Sequence, residues 1–91
     1  MFRSFFLIVV HKSGVDIEAR DKNNHSLLHV AAELGSVSVL EYLIEQGLEV
    51  DSFDNDRSTP LLHAIGQNSL AAAKVLINHG ANVNHVNEYG F

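Results

Sequence analysis

Cysteine is absent from this 91-residue chain, and proline occurs only once. Without thiols the chain has no disulfide framework, no thiolate zinc site and no cysteine nucleophile. The absence of disulfides also fits a reducing compartment. The longest apolar run, residues 5–10, is much shorter than the ~20 residues that span a bilayer. It is also too short for the apolar region of a signal peptide, so we expect neither a span nor a signal here.

Basic residues are also scarce. Six Lys and Arg stand against eleven Asp and Glu, which gives a net charge of −5, and the six form no run. Nucleic-acid binding needs clustered basic residues, so this composition argues against it. Because 46% of the residues are apolar and only 19% are charged, the chain has enough apolar surface for a packed core and is not expected to be disordered.

The chain contains two similar helix starts. Thr59 can accept a backbone N–H of the first turn, and Pro60 sits at the first helical position, where its missing N–H costs nothing. Ser26 occupies the place of Thr59 one period of 33 residues earlier. An apolar stripe at helical spacing follows each start: Leu28, Ala31 and Ala32 in the first, and Leu61, Ala64 and Ile65 in the second. Such a recurrence is typical of stacked-repeat proteins.

The same period orders the whole chain as a single all-α domain, residues 1–91. Gly14, Gly47 and Gly80 align as helix ends. Residues 1–13 match the second helix of a partial repeat, 14–46 and 47–79 are whole periods, and 80–91 begin a further repeat. The pattern predicts helices over 26–34, 36–46, 59–66 and 69–79, with Ser36 and Ser69 as further caps and with Asn68 in the place of Gly35.

The residues at these positions resemble those of the ankyrin repeat family. Its motif combines a turn Asp, a Thr-Pro-Leu-His helix start, paired Ala, paired Leu and Gly-Ala. The matching residues of the first unit are Asp21, Leu28, His29, Ala31, Ala32, Gly35, Leu43, Ile44 and Gly47. Those of the second are Asp54, Thr59, Pro60, Leu61, Ala64, Leu76, Ile77, Gly80, Ala81, Val83 and Asn84. The resemblance implies an all-α solenoid of antiparallel helix pairs with protruding turns.

The chain departs from that motif at its turns. The motif glycine is kept only as Gly90, and Asn24 and Arg57 replace it in the two whole units. A residue with a Cβ resists positive φ, so we expect the turn at Arg57 to be strained or differently shaped. Leu62 stands where the motif has histidine, with His63 one residue later.

The resemblance implies a non-catalytic module that binds a protein partner through its turn tips and the concave face of its first helices. The corresponding residues are Lys22, Asn23, His25, Glu33, Leu34, Asn55, Asp56, Ser58, Gln67, Glu88, Tyr89 and Phe91. Phe53, Tyr89 and Phe91 are candidate anchors because aromatic residues dominate interface energies. For Phe53, packing within its own connector is an equal alternative.

Acidic residues cluster in the connector between the two whole repeats, at Glu49, Asp51, Asp54 and Asp56. A calcium loop starting at Asp54 would need Gly at its sixth position and Glu at its twelfth, where Thr59 and Ile65 stand. A solvated acidic turn is the better interpretation. It predicts a partner with a basic patch, with an effect mainly on association rate.

No catalytic pattern or cofactor motif is found, so we expect no enzyme activity, no cofactor and no metal. His25 and His29 have the four-residue spacing of metal ligands on a helix, but His25 precedes the Ser26 cap. The resemblance implies that His29 instead joins helices and turns by hydrogen bonds.

Four further expectations concern the setting and modification of the module. A structural spacer or targeting segment of a larger enzyme, channel or adaptor is the alternative function. The apolar end, with Phe5, Phe6 and Val10, is a candidate surface for self-association. The resemblance also implies an intracellular location, in cytoplasm or nucleus, and makes Asn84 a candidate for asparaginyl hydroxylation.

Overall fold

Two helical hairpins make up the part of the chain that the structure, a computed structural model, describes, residues 17–90. The first contains α1, Leu27–Leu34, and α2, Val37–Glu45. The second contains α3, Pro60–Gly66, and α4, Leu70–Asn78. The four predicted helices are confirmed, and residues 17–90 contain no strand. The helix predicted within residues 1–13 lies outside this range. None of the four helices is long and apolar enough to cross a bilayer.

Side-chain caps start the first helix of each hairpin, as the sequence predicted. The Ser26 hydroxyl accepts the backbone N–H of His29, and Nδ1 of the His29 ring accepts the backbone N–H of Ser26. These two bonds complete a capping box. Thr59 accepts the Leu62 N–H, and Pro60 follows at the first helical position. These local bonds satisfy backbone groups that have no partner within the helix.

Ser36 and Ser69 stand at the N-cap positions of α2 and α4, as predicted, but neither side chain makes a capping hydrogen bond. Their backbones close the preceding helix instead. The N–H of Ser36 donates to the Ala31 carbonyl, and that of Ser69 donates to the Ala64 carbonyl. Each follows a residue with positive φ, Gly35 or Asn68. This is the Schellman arrangement, and it leads directly into the next helix.

The hairpins lie side by side, with α1 against α3 and α2 against α4. Their shared core is a single cluster of leucines and small residues. Leu28, Leu40, Leu43 and Leu76 are fully buried at its centre. Alanines at Ala32, Ala64 and Ala72 let the helices approach closely, and all three are fully buried. Because each helix pair covers the next, stability is shared between neighbouring repeats.

The predicted burial of Ile65 is wrong. Its counterpart Ala32 is fully buried, whereas Ile65 is 58% exposed. The first hairpin is followed by the second, but no helix follows α4 among residues 79–90. The same position on the repeat is therefore an internal interface in the first unit and an open surface in the second.

The turn before each repeat has the same hydrogen-bonding pattern three times. Asp21 accepts the N–H groups of Asn23 and His25, and Asp54 accepts those of Asp56 and Ser58. Asn87 begins a third copy by accepting the Tyr89 N–H. A short polar side chain that binds the backbone two residues ahead stabilises a turn without neighbouring strands.

A residue with positive φ follows in each turn: Asn24 at 64°, Arg57 at 62° and Gly90 at 86°. Arg57 therefore adopts the family conformation despite its Cβ. The expectation of a differently shaped turn is wrong, and the residue is held in a left-handed conformation that side chains disfavour.

Candidate partner-binding surface and histidine cluster

The tips of the three turns are joined into a ladder by backbone hydrogen bonds. Asn55 N–H donates to the Asn23 carbonyl over 3.0 Å, and Glu88 N–H donates to the Asp56 carbonyl over 3.1 Å. Arg20 adds a bond from its guanidinium to the Phe53 carbonyl, at 2.9 Å. The two tip bonds use main-chain groups, and the Asn55 amide adds a longer bond of 3.4 Å to the Lys22 carbonyl. The turns are therefore fixed relative to each other.

The predicted contact residues within the described range lie in the turns and connectors or on and directly after the first helices. Lys22, Asn23, Glu33, Leu34, Phe53, Asn55, Asp56, Gln67, Glu88 and Tyr89 are exposed, and His25 is half-buried. Phe91 lies outside the described residues. Tyr89 is 64% exposed, and its hydroxyl donates to Asp56 over 3.3 Å. The Asp56 charge raises the pKa of this phenol.

Ser58 is a correction to the predicted surface. It is only 7% exposed, and its hydroxyl accepts a hydrogen bond from the Asn87 amide. Its carbonyl is also occupied, by the His29 ring. Ser58 therefore joins successive repeats and does not face a partner.

Phe53 packs across to the next turn. Its ring stacks on the His85 ring at 4.7 Å between centroids, and the Arg57 guanidinium lies 5.9 Å from its centroid. Even so, 44% of its surface is exposed. Packing and partner contact are thus compatible at this residue.

An open groove of about 720 Å³ runs between α3 and residues 83–89. Leu62, Ile65, Val83 and Val86 give it an apolar floor, and its charged lining residues are Glu33, Asp54 and Asp56. No Lys or Arg of residues 17–90 lines it. The groove is therefore suited to a segment that is apolar and carries a positive charge.

The acidic connector is not the fully solvated turn that we expected. Asp54 is only 5% exposed. Asp51 accepts the Asn82 N–H through both carboxylate oxygens, at 3.0 and 3.1 Å. Burial opposes ionisation of Asp54, but hydrogen bonds from His63, Ser58 and Asp56 outweigh it and lower the pKa of that carboxyl. These carboxylates join repeats as well as contributing charge.

His29 is fully buried and connects the first helix to the second turn. Its Nδ1 accepts the Ser26 N–H at 3.0 Å, so Nε2 carries the proton and donates to the Ser58 carbonyl at 2.8 Å. Burial disfavours the charged ring and lowers its pKa to about 4.

A cluster of histidines that the sequence did not predict surrounds Asp54. The Nε2 atoms of His25 and His63 lie 3.3 and 2.9 Å from Asp54 Oδ2. The His29 and His63 rings are 5.1 Å apart between centroids. The pair that the sequence spacing suggested, His25 and His29, does not share a ligand position, because both nitrogens of His29 are used. The actual cluster draws on two repeats.

Asn84, the candidate for hydroxylation, is exposed at the edge of the groove. Its backbone N–H donates to Oδ1 of Asn82 over 2.9 Å. Modification of Asn84 stays a prediction.

Comparison with known proteins agrees with this architecture. A family model described as ankyrin repeats, in three copies, matches residues 3–87. The chain is 39% identical over 72 residues to the mouse B-cell lymphoma 3 protein homolog, which covers 78% of this chain and 16% of that protein. It is 37% identical over 81 residues to human palmitoyltransferase ZDHHC13, covering 88% of this chain and 13% of the relative. Serine/threonine-protein kinase 12 of Arabidopsis thaliana is 41% identical over 69 residues, which cover 76% of this chain and 15% of the relative.

The chain thus spans no more than 16% of the length of these three relatives. Two of them carry enzyme names, and the matched region is a small part of each. The similarity therefore concerns the repeats, and it carries no enzymatic activity over to this chain.

Proposed function

Because this chain belongs to the ankyrin repeat family, whose repeats are non-catalytic protein–protein interaction modules, we propose that it binds a protein partner through its turn tips and the concave face of α1 and α3. The ladder of turn tips is the observation that carries the proposal. It holds three turns in register through main-chain bonds. A surface fixed before binding loses little conformational entropy when it binds.

The residues that we assign to the contact are Lys22, Asn23, His25, Glu33, Leu34, Phe53, Asn55, Asp56, Gln67, Glu88 and Tyr89. Tyr89 is the principal anchor, because it combines an exposed ring with a hydroxyl held by Asp56. Such an aromatic residue contributes area at low entropic cost. Ser58 is left out because it is buried.

The partner that fits this surface has an apolar segment next to a basic patch. The groove offers Ile65, which is 58% exposed, beside the Asp56 and Glu33 carboxylates. The net charge of −5 acts in the same direction at longer range. The absence of cysteine supports an intracellular location for this interaction, in the cytoplasm or nucleus.

A spacer or targeting segment within a larger protein is the second candidate function. It is favoured by the small part of each relative that the chain matches, 13–16%. Self-association through Phe5, Phe6 and Val10 is a separate proposal, which concerns residues outside the described range.

Comparative affinity capture tests the proposal. The wild-type chain, a tip variant and a control variant are immobilised and exposed to the same cell lysate, and the captured proteins are quantified by mass spectrometry. The tip variant combines Asn55→Ala, Asp56→Ala and Tyr89→Ala. The control combines Glu41→Ala, Glu45→Ala and Lys74→Ala, which are exposed on α2 and α4.

We expect at least one protein that the wild type and control capture equally and the tip variant captures at least tenfold less. That protein, purified, should then bind the wild type directly. Capture that depends on the α2 and α4 substitutions would contradict the proposed surface. If no captured protein differs in amount between the three chains, the spacer function is favoured.

A further inference from the structure

Three side chains from different parts of the chain bring nitrogen and oxygen ligand atoms together at one point. His25 lies in the first turn, Asp54 in the second turn and His63 on α3. Each offers one ligand atom, and the three atoms lie within 4.8 Å of one another. Asp54 Oδ2 is 2.9 Å from His63 Nε2 and 3.3 Å from His25 Nε2.

The hydrogen bond of His25 Nδ1 shows which ring nitrogen of His25 can bind a metal ion. Nδ1 lies 3.0 Å from Asp21 Oδ2, and a carboxylate can only accept, so Nδ1 donates its proton there. In the neutral ring, Nε2 then carries a lone pair that faces the Asp54 carboxylate. Two electron-rich atoms at 3.3 Å need a cation between them, either a proton or a metal ion.

Neighbouring groups hold these side chains in place. The carboxylate of Asp21 accepts a hydrogen bond from Nδ1 of His25, whereas Glu33 Oε2, at 3.9 Å from Nδ1 of His63, is near enough for an ion pair but too far for a hydrogen bond. Asp54 is fixed through its other oxygen, Oδ1, which accepts the N–H groups of Asp56 and Ser58 at 2.9 Å. Metal-binding histidines commonly donate their second N–H to a carboxylate, and ligating carboxylates are themselves hydrogen-bonded.

We propose that His25 Nε2, His63 Nε2 and Asp54 Oδ2 form a zinc-binding site between the two repeats. Two imidazoles and a carboxylate are a ligand set that zinc accepts, with bonds of about 2.0–2.2 Å. A tetrahedron with bonds of that length has edges of roughly 3.3 Å. The distance from Asp54 Oδ2 to His25 Nε2 already has this value, and the distance to His63 Nε2 must lengthen from 2.9 Å. Side-chain rotations of His25 and His63 can supply the adjustment, and His63 Nε2 releases the proton of its hydrogen bond to Asp54 when the metal binds. Asp54 and His63 line the groove, so the fourth position opens toward solvent there.

The third histidine is excluded as a ligand. His29 is fully buried, and both of its nitrogens hold backbone partners, Ser26 and Ser58. Binding a metal at His29 would break one of these bonds. The proposed site replaces the sequence-based expectation of no metal, which weighed the pair His25 and His29 and a calcium loop at Asp54 but not His25 with His63.

Zinc at this site would tie the first turn to the second repeat. Its ligands span the junction between the two whole repeats, where the tip ladder and His29 also make bonds. A metal that binds only the folded chain raises its stability as the free metal concentration exceeds the dissociation constant. The site would therefore stiffen the surface without adding catalysis.

Isothermal titration calorimetry of the full chain with Zn²⁺, after treatment with a chelator, tests the site. We expect one Zn²⁺ per chain, and a higher melting temperature in Zn²⁺ than in EDTA. Co²⁺ in place of Zn²⁺ should give the visible absorption of a four-coordinate site, which a protonated histidine pair cannot produce.

Variants separate this site from other histidines of the chain. His25→Gln and His63→Gln should each weaken Zn²⁺ binding at least tenfold, while the exposed His79→Gln leaves it unchanged. Asp21→Asn keeps the backbone bonds to Oδ1 but loses the charge that orients His25, and should weaken binding roughly 10–100-fold. Far-UV circular dichroism in EDTA checks that each variant is folded.

Two results would overturn the proposal. One is the absence of Zn²⁺ binding at millimolar metal. The other is binding that folded His25→Gln and His63→Gln retain in full. In either case a proton, and not a metal ion, occupies the space between Asp54 and the two rings.

Discussion

His29 Nε2 donates a hydrogen bond of 2.8 Å to the Ser58 carbonyl, although the two residues belong to successive repeats. The bond is fully buried and connects a helix of one repeat to the turn of the next. The second whole repeat has Leu62 at the position of His29 and lacks this bond. One imidazole ring therefore gives the first junction a buried hydrogen bond that has no equivalent from Leu62.

Replacing His29 by leucine, the residue found at the equivalent position, should lower the free energy of unfolding by about 2–3 kcal/mol. The substitution leaves the buried N–H of Ser26 and carbonyl of Ser58 without their partner. Urea denaturation followed by circular dichroism measures the change. The same substitution at the exposed residue His79 should cost less than about 0.5 kcal/mol; equal losses at both positions would contradict the role of His29.

Acid should destabilise the wild type through His29. Its pKa is about 4 in the folded chain against about 6.5 in an unfolded one. The unfolded state thus binds more protons between these values, and stability is full above pH 6.5 and falls as the pH drops toward 4. The loss from this residue should be about 3 kcal/mol by pH 4.

The effect of His29 is the difference between the wild type and His29→Leu, because groups present in both proteins contribute equally to the two measurements. Both proteins are unfolded by urea at pH 7.0 and pH 4.5, in EDTA. The stability difference between them should shrink as the pH falls. A difference that stays constant or grows would show that His29 is not held neutral by the fold.

Arg57 carries conformational strain that glycine would remove. Its φ of 62° lies in the same left-handed region as the φ of Gly90 in the next turn, 86°. Arg57→Gly and Arg57→Ala both lose the contact of the guanidinium with Phe53, and they differ only in the Cβ. The glycine variant should be more stable than the alanine variant by about 1 kcal/mol. Thermal unfolding measures this, and an alanine variant of equal or higher stability would contradict the strain.

Association with a partner should be faster at low salt. The groove presents Glu33, Asp54 and Asp56 without a lining Lys or Arg among the described residues, and opposite charges steer encounter. Once a partner is purified, stopped-flow or surface plasmon resonance at 50 mM and 500 mM NaCl gives the rates. We expect roughly a tenfold fall at high salt, mainly in the association rate. An association rate that does not change with salt would exclude the basic partner.

The helices were predictable because their signals are local. Ser26 and Thr59 mark helix starts within a few residues, and the apolar spacing that follows needs no knowledge of distant contacts. The turn residues Asp21, Asp54 and Asn87 were also found, through their shared position in the repeat. Repetition turned a weak turn signal into a specific one.

What the sequence could not give depends on contacts between repeats. The burial of Ser58 requires its bonds to His29 and Asn87. The exposure of Ile65 depends on whether another helix pair covers α3. The apolar spacing within α3 does not show whether such a pair is present. His25 and His63 meet at Asp54 only because the hairpins stack in register. In the 33-residue alignment His25 corresponds to Ser58 and His63 corresponds to Val30, so the two histidines are not at equivalent positions.

Amide hydrogen exchange of the chain, alone and bound to the partner found by affinity capture, tests the proposed surface most directly. We expect binding to slow exchange at the turn tips, residues 22–24, 55–57 and 88–90, and along the exposed side of α1 and α3. Exchange in α2 and α4 should change little. Protection confined to α2 and α4, with the three tips unaffected, would contradict the account.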